Sequence, residues 1–209
     1  MILKLTAFVV ATAVVALADI SACDNISGNL VKNCGFETIV PGGFLPDGVP
    51  YNGIAVWTLS GSNDYTQATD DPHFVHSGEL GAVLAPTAPD FGYLSQIITD
   101  VAGSVTLDFW LSNPYGGNPN NFSVQWDGVT VFGPLVNAGQ FGYTHEGPMV
   151  LTATGSDTLQ FSYRQDPEYW ALDDVSVVQN AVPEPSSVLL LGTLLGCLGV
   201  VFRRKRFAK

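Results

Sequence analysis

Carboxylates dominate the reactive side chains of this 209-residue chain. Asp and Glu number 19 against 8 Lys and Arg, and every acid except Glu184 lies between residues 19 and 181. Two acids flanking a glycosidic bond can hydrolyse it, but no spacing here selects a pair. Many of the acids stand beside Gly, Pro or Asn, as solvated turn residues do. Asp173-Asp174 is the most pointed doublet. Neighbours in a strand face opposite ways unless a bulge turns both to one side. His73, His76 and His145 are scattered and lack thiolate partners for zinc. No acid stands where it would evidently orient an imidazole, so the three read as surface or loop residues. There is no Gly-x-Ser-x-Gly elbow, and Tyr115-Gly116-Gly117-Asn118 lacks the Lys and the helix of a phosphate loop. The chain reads as a non-enzyme.

Recognition chemistry is better represented. Sugars are held by aromatic faces against their C–H surfaces and by amides and carboxylates around them. The loop 113–121 offers Asn113, Tyr115 and Asn118, and the segment 164–170 offers Arg164, Tyr169 and Trp170. These six are the candidate glycan-binding residues, provided the two segments meet at one end of the fold. Ordinary turns use the same Asn, Pro and Gly residues. Trp170 and Trp57 suit a core equally well, and Arg164 has Asp166 and Asp108 as alternative partners.

The elements that must position these residues are strands. Val105, Leu107, Phe109 and Leu111 alternate with Thr106, Asp108, Trp110 and Ser112. Phe122, Val124 and Trp126 alternate in the same way, as do Leu159, Phe161 and Tyr163, which is the period of a half-buried strand. Asp127-Gly128 between two such runs is a hairpin signal. Further strands are predicted over 29–32, 55–59, 80–85, 93–99, 144–153 and 170–178, with Gly, Pro and Asn between them. Many short strands without a helical stripe predict an all-β, single-domain sandwich over residues 19–181.

That body is strongly acidic. Its only cations are Lys32 and Arg164 against eighteen carboxylates, a formal charge of −16. Such a surface repels nucleic-acid phosphates and anionic lipids. Upstream, Lys4, the apolar Leu5–Leu17 run and Ala16-Leu17-Ala18 read as a secretory signal peptide over residues 1–18. Ile20-Ser21-Ala22-Cys23 permits a second reading, a lipidated Cys23. In an oxidising compartment Cys23 and Cys34 can pair and contribute about 2–3 kcal/mol, or remain two buried thiols. Cys197 falls in the apolar tail.

Residues 182–209 divide into a stiff tag at 182–187, a 15-residue uncharged run from Val188 to Phe202, and a basic end at 203–209. As a helix the run reaches about 22 Å, short of a ~30 Å hydrocarbon core. The cations that follow it suit a cytoplasmic membrane surface, so a membrane-inserting helix is predicted. Val182-Pro183-Glu184-Pro185, the apolar run and Arg203-Arg204-Lys205-Arg206 together resemble the PEP-CTERM sorting signal of Gram-negative bacteria. The resemblance implies recognition of Pro183, Glu184 and Pro185 by an exosortase, a membrane protease. It also implies passage outward through the inner membrane, and a setting of exopolysaccharide production.

The body resembles galactose-binding-like jelly-roll modules and carbohydrate-binding modules. Asn29-Leu30-Val31-Lys32-Asn33-Cys34-Gly35-Phe36-Glu37, the Ser77-Gly78 pair and Trp170-Ala171-Leu172-Asp173-Asp174-Val175 carry the likeness. It implies a structural calcium shared by Glu37 and Asp173, clamping the first and last strands. Cys34 departs from the small residue usual at its position, in keeping with a local disulfide. The expectation is a cell-surface or matrix protein of the envelope, biofilm or exopolysaccharide layer, structural or glycan-binding in role.

Overall fold

The computed structural model describes residues 20–44, 50–86, 89–99 and 102–181. The expected signal peptide, sorting tag and membrane helix lie outside these residues. Among the described residues no helix is long and apolar enough to cross a membrane.

Two five-stranded antiparallel sheets face each other, as the alternation predicts. One has the order β10 (Phe141–Ala153), β7 (Gly103–Asn113), β12 (Trp170–Gln179), β5 (Gly81–Leu84), β4 (Gln67–Thr69). The other runs β3 (Thr58–Gly61), β6 (Gly92–Thr99), β11 (Ser156–Gln165), β8 (Asn120–Trp126), β9 (Val129–Val136). The alternating apolar positions of β7, β8 and β11 all point between the sheets. Val105, Leu107, Phe109, Leu111, Phe122, Val124, Leu159, Phe161 and Tyr163 are fully buried there. Phe109 meets Phe161 edge-on at 5.4 Å, and Phe122 packs on Trp170 at 5.3 Å. Each such side chain contributes about 1.5–3 kcal/mol by leaving water. The β8–β9 hairpin turns on Asp127 and Gly128 with φ of 49° and 75°, the left-handed pair that a two-residue turn needs.

Four elements depart from the sequence reading, β4 being one that the alternation does not predict. Residues 29–32 form no strand; only Asn29 bridges to Val178. The Asn29 side chain instead ties the segment down, accepting from Val31 N and Val177 N and donating to the carbonyls of Cys23 and Val175. A ribbon of β1 (Ile39–Phe44) and β2 (Pro50–Ile54), rich in Gly and Pro, was not anticipated. The third strand begins only at Thr58, because Val56 turns at φ 61° and Trp57 drops inward to donate to the Asn33 carbonyl.

Candidate functional site

The Asp173-Asp174 doublet sits on a bulge. Between Asp173, opposite Trp110, and Ser176, opposite Asp108, β12 spends one more residue than β7. Asp174 takes φ 47° to accommodate it. Both carboxylates therefore turn toward one segment, His76 and Ser77. Asp173 Oδ2 accepts from the His76 and Ser77 amides at 2.8 and 3.2 Å. Asp174 Oδ2 meets His76 Nδ1 and the Ser77 hydroxyl, each at 2.6 Å, while its Oδ1 accepts from Cys23 N at 3.0 Å. The His76 ring stacks on Trp110 at 3.8 Å and lies 5.2 Å from Tyr143. Burial, then the charge of Asp174, pushes the Asp173 carboxyl up to about 8. Burial, and after it these two carboxylates, pushes the Tyr143 phenol up as well.

Each histidine has an acidic partner, which corrects the sequence reading. His76 pairs with Asp174, His145 Nε2 lies 3.1 Å from Asp108, and His73 Nδ1 lies 2.8 Å from Asp71. The Ser77–Asp174–His76 group is not a nucleophile relay. Hydroxyl and imidazole meet the same carboxylate oxygen, so Ser77 does not deliver its proton to His76.

Glu37 belongs to the same corner. Its Oε1 accepts from the Ser21 hydroxyl and the Glu79 and Leu80 amides, and Oε2 accepts from Leu80 N. Gly78, at φ 75°, has no room for a side chain, because a Cβ there would overlap the Glu37 carboxyl. The oxygens of Glu37 and Asp173 thus face N–H and O–H donors, a donor-filled arrangement that does not fit a calcium ion at the pair. Among the described residues, the one group of three metal-type side chains within reach is Cys23, Asp24 and Cys34. Both of those sulfurs are used in a Cys23–Cys34 disulfide. The bridge carries Cys23 N onto Asp174, and Cys34 O receives Val175 N.

The six residues singled out for glycan contact divide. Asn113 is buried and satisfied, donating to the Ala138 and Gly139 carbonyls and accepting from Gly116 N and Gln165 Nε2. Trp170 is core and donates to the Arg164 carbonyl. Asn118 Oδ1 accepts from Asn120. Arg164 lies on the outward face of β11, and its Nε is buried without a hydrogen-bond partner. No ion pair joins it to Asp166 or Asp108 among the described residues; Asp108 is with His145.

Tyr115 and Tyr169 do converge. Phe74 stands between them, edge-on to both at 6.0 and 6.1 Å, and His73 lies 5.8 Å from Tyr115. The two loops touch where Gly117 backs onto Glu168 with no space for a Cβ. Phe74 is not among the residues read from sequence, and His73 reads there only as a surface or loop residue. Their signal was the Asp71-Pro72-His73-Phe74 turn, in which Asp71 caps the His73 amide and an aromatic is left at the sandwich end. The His73 amide, and then its ring, holds the Asp71 carboxyl below its usual range.

Residues 181–206 match the PEP-CTERM protein-sorting motif. No curated protein matches the chain in sequence. In structure, TmCBM61, solved with beta-1,4-galactotriose, aligns over 73% of this chain and 99% of its own, at 20% identity and a TM-score of 0.52. The K1 cleaved adhesin domain of Lys-gingipain from Porphyromonas gingivalis W83 aligns over 70% and 96%, at 12% identity and a TM-score of 0.48. A family 35 carbohydrate-binding module from Clostridium thermocellum aligns over 68% and 99%, at 13% identity and a TM-score of 0.41. This chain therefore carries a PEP-CTERM sorting motif behind a β-sandwich of the fold seen in carbohydrate-binding modules.

Proposed function

We propose that this is an exported surface protein, handed outward by an exosortase-type protease, whose sandwich binds glycan without catalysis. The sorting motif supports the route. It directs the chain to the envelope, through Pro183-Glu184-Pro185 and the basic Arg203-Arg204-Lys205-Arg206 end. In that setting a glycan-binding body is a structural component of the exopolysaccharide or biofilm layer. The observation that carries the binding role is the loop-end shelf, where Tyr115 is 43% exposed beside Phe74 and Tyr169. An open ring braced from behind by other rings is the surface on which sugar C–H faces stack. The non-catalytic reading is supported by Ser77 and His76, both committed to Asp174.

A glycan array probed with the full chain in a detergent without sugar headgroups tests the role. Binding that falls about tenfold or more in Tyr115→Ala is the expected result, since a stacking ring is the usual anchor of such contacts. A blank array would leave only the structural role, and Tyr115→Ala binding as the parent does would rule out the loop-end shelf as the site.

A further inference from the structure

The outward face of the second sheet carries a separate surface. β6 and β11 pair without a break in register, so Tyr93 lies beside Ser162, and Ser162 beside Ser123 of β8. Ser60 of β3 stands on the other side of Tyr93. One rung along, Gln160 donates to Gln125 at 3.3 Å. Ser60, Phe91, Tyr93, Gln125, Gln160 and Ser162 line an open groove of about 510 Å³. That volume is within the ~300–1,000 Å³ usual for ligand sites. Strands about 4.8 Å apart make the row from β3 to β8 about 14 Å long. Ser162 and Ser123 point away from the core yet are only 6% and 9% exposed, so the face is sunken.

The chemistry of the groove is selective. The body carries eighteen carboxylates, but along β3, β6, β11 and β8 none faces outward from the sheet among the described residues. Two rings, two amides and three hydroxyls, one of them the Tyr93 phenol, remain in the groove. Arg164 lies on the same face of β11, two residues beyond Ser162, with its Nε buried and unpartnered. Hydroxyls and amides exchange hydrogen bonds with sugar hydroxyls without desolvating a full charge. Rings take the C–H face. An anionic chain would meet the long-range repulsion of a body at −16, whose only cations are Lys32 and Arg164.

We propose that this groove is a second glycan site, distinct from the loop-end shelf, and that it takes an extended, uncharged polysaccharide chain. Two such surfaces on one module would let the protein cross-link neighbouring chains of a matrix. The inference rests on the proposed glycan-binding role and is tested separately from it. The full chain, in a detergent without sugar headgroups, is run by affinity electrophoresis through gels containing β-1,4-galactan, hydroxyethylcellulose or polygalacturonate. Retardation by at least one neutral polymer and not by polygalacturonate is expected. Tyr93→Ala and Gln160→Ala should each weaken it about tenfold, while Tyr93→Phe, which keeps the ring, retains most of it and reports an intact fold. Tyr115→Ala should leave a residual retardation that Tyr93→Ala then removes. The groove is ruled out if Tyr93→Ala and Gln160→Ala run as the parent does, in which case loss in Tyr115→Ala alone would keep the loop-end site standing. Retardation by polygalacturonate only, or by none of the three polymers, would also overturn it.

Discussion

His76 Nδ1 lies 2.6 Å from an Asp174 oxygen, although 98 positions separate the two residues. That contact closes the sandwich, because Asp174 sits on the last strand and also receives Cys23 N from the start of the body. With the stack on Trp110, it fixes residues 76–80 over the bulge in β12. Replacing His76 by Ala leaves a buried carboxylate short of a donor, a loss of about 2–3 kcal/mol. The urea midpoint should fall accordingly. His73→Ala removes an exposed pair with Asp71 and should change stability by less than about 0.5 kcal/mol.

Asp173 makes stability depend on pH with a stated sign. Its carboxyl is pushed up to about 8 in the fold, against about 4 in the unfolded chain. Below about pH 4 both states hold the proton and the residue contributes nothing adverse. As pH rises from about 4 to 8 the unfolded chain ionises first, so stability declines, and above about 8 it levels off. Its contribution is isolated by difference against a variant that cannot ionise at this position. Asp173→Asn should flatten the decline between pH 5 and 8 in tryptophan-monitored unfolding. An unchanged slope would mean that burial does not keep this proton on.

The Cys23–Cys34 bridge closes a loop with a sequence separation of 11. A constraint of that length on the unfolded chain contributes about 2–3 kcal/mol. Cys34→Ser should lower the midpoint by that amount, and a thiol reductant should do the same to the parent but nothing further to the variant. The bridge also carries Cys23 N onto Asp174, so the two effects should couple in a double-mutant cycle with Asp174→Asn.

Glu37 and Asp173 hold their corner with amide and hydroxyl donors, which leads to a test of metal dependence. EDTA and millimolar calcium should leave the melting temperature of the full chain unchanged. Glu37→Ala, which strands the amides of Glu79 and Leu80, should lower stability by about 2–4 kcal/mol in either condition. A melting temperature that rises with calcium in the parent but not in Glu37→Ala would reinstate a bound ion there.

Sorting is tested at the tag. Glu184→Ala alters the centre of the Pro-Glu-Pro motif within the matched residues 181–206. In a host with an exosortase the variant should accumulate unprocessed in the membrane fraction, while the parent is cleaved. Equal processing of the two would argue against recognition at this tripeptide.

Much of the molecule follows from local rules. Alternation along 105–112, 122–126 and 159–163 places those side chains between two sheets wherever the strands are laid, because successive strand residues face opposite ways. Asp127-Gly128 sets its own turn, since its left-handed φ values are a property of two residues. The PEP-CTERM tail is likewise legible, being a contiguous order of stiff tag, apolar run and cations. Long-range placement decided the rest. Residues 29–32 have strand composition but are held by the Asn29 side chain rather than by a ladder. Asn113 and Trp170 look like contact residues in one dimension and are buried once the loops pack. The bulge at Asp174, the His76 partnership and the meeting of Tyr115 with Tyr169 across Phe74 depend on which distant strands become neighbours. Register and topology are set by the whole core, and no window of the chain contains them.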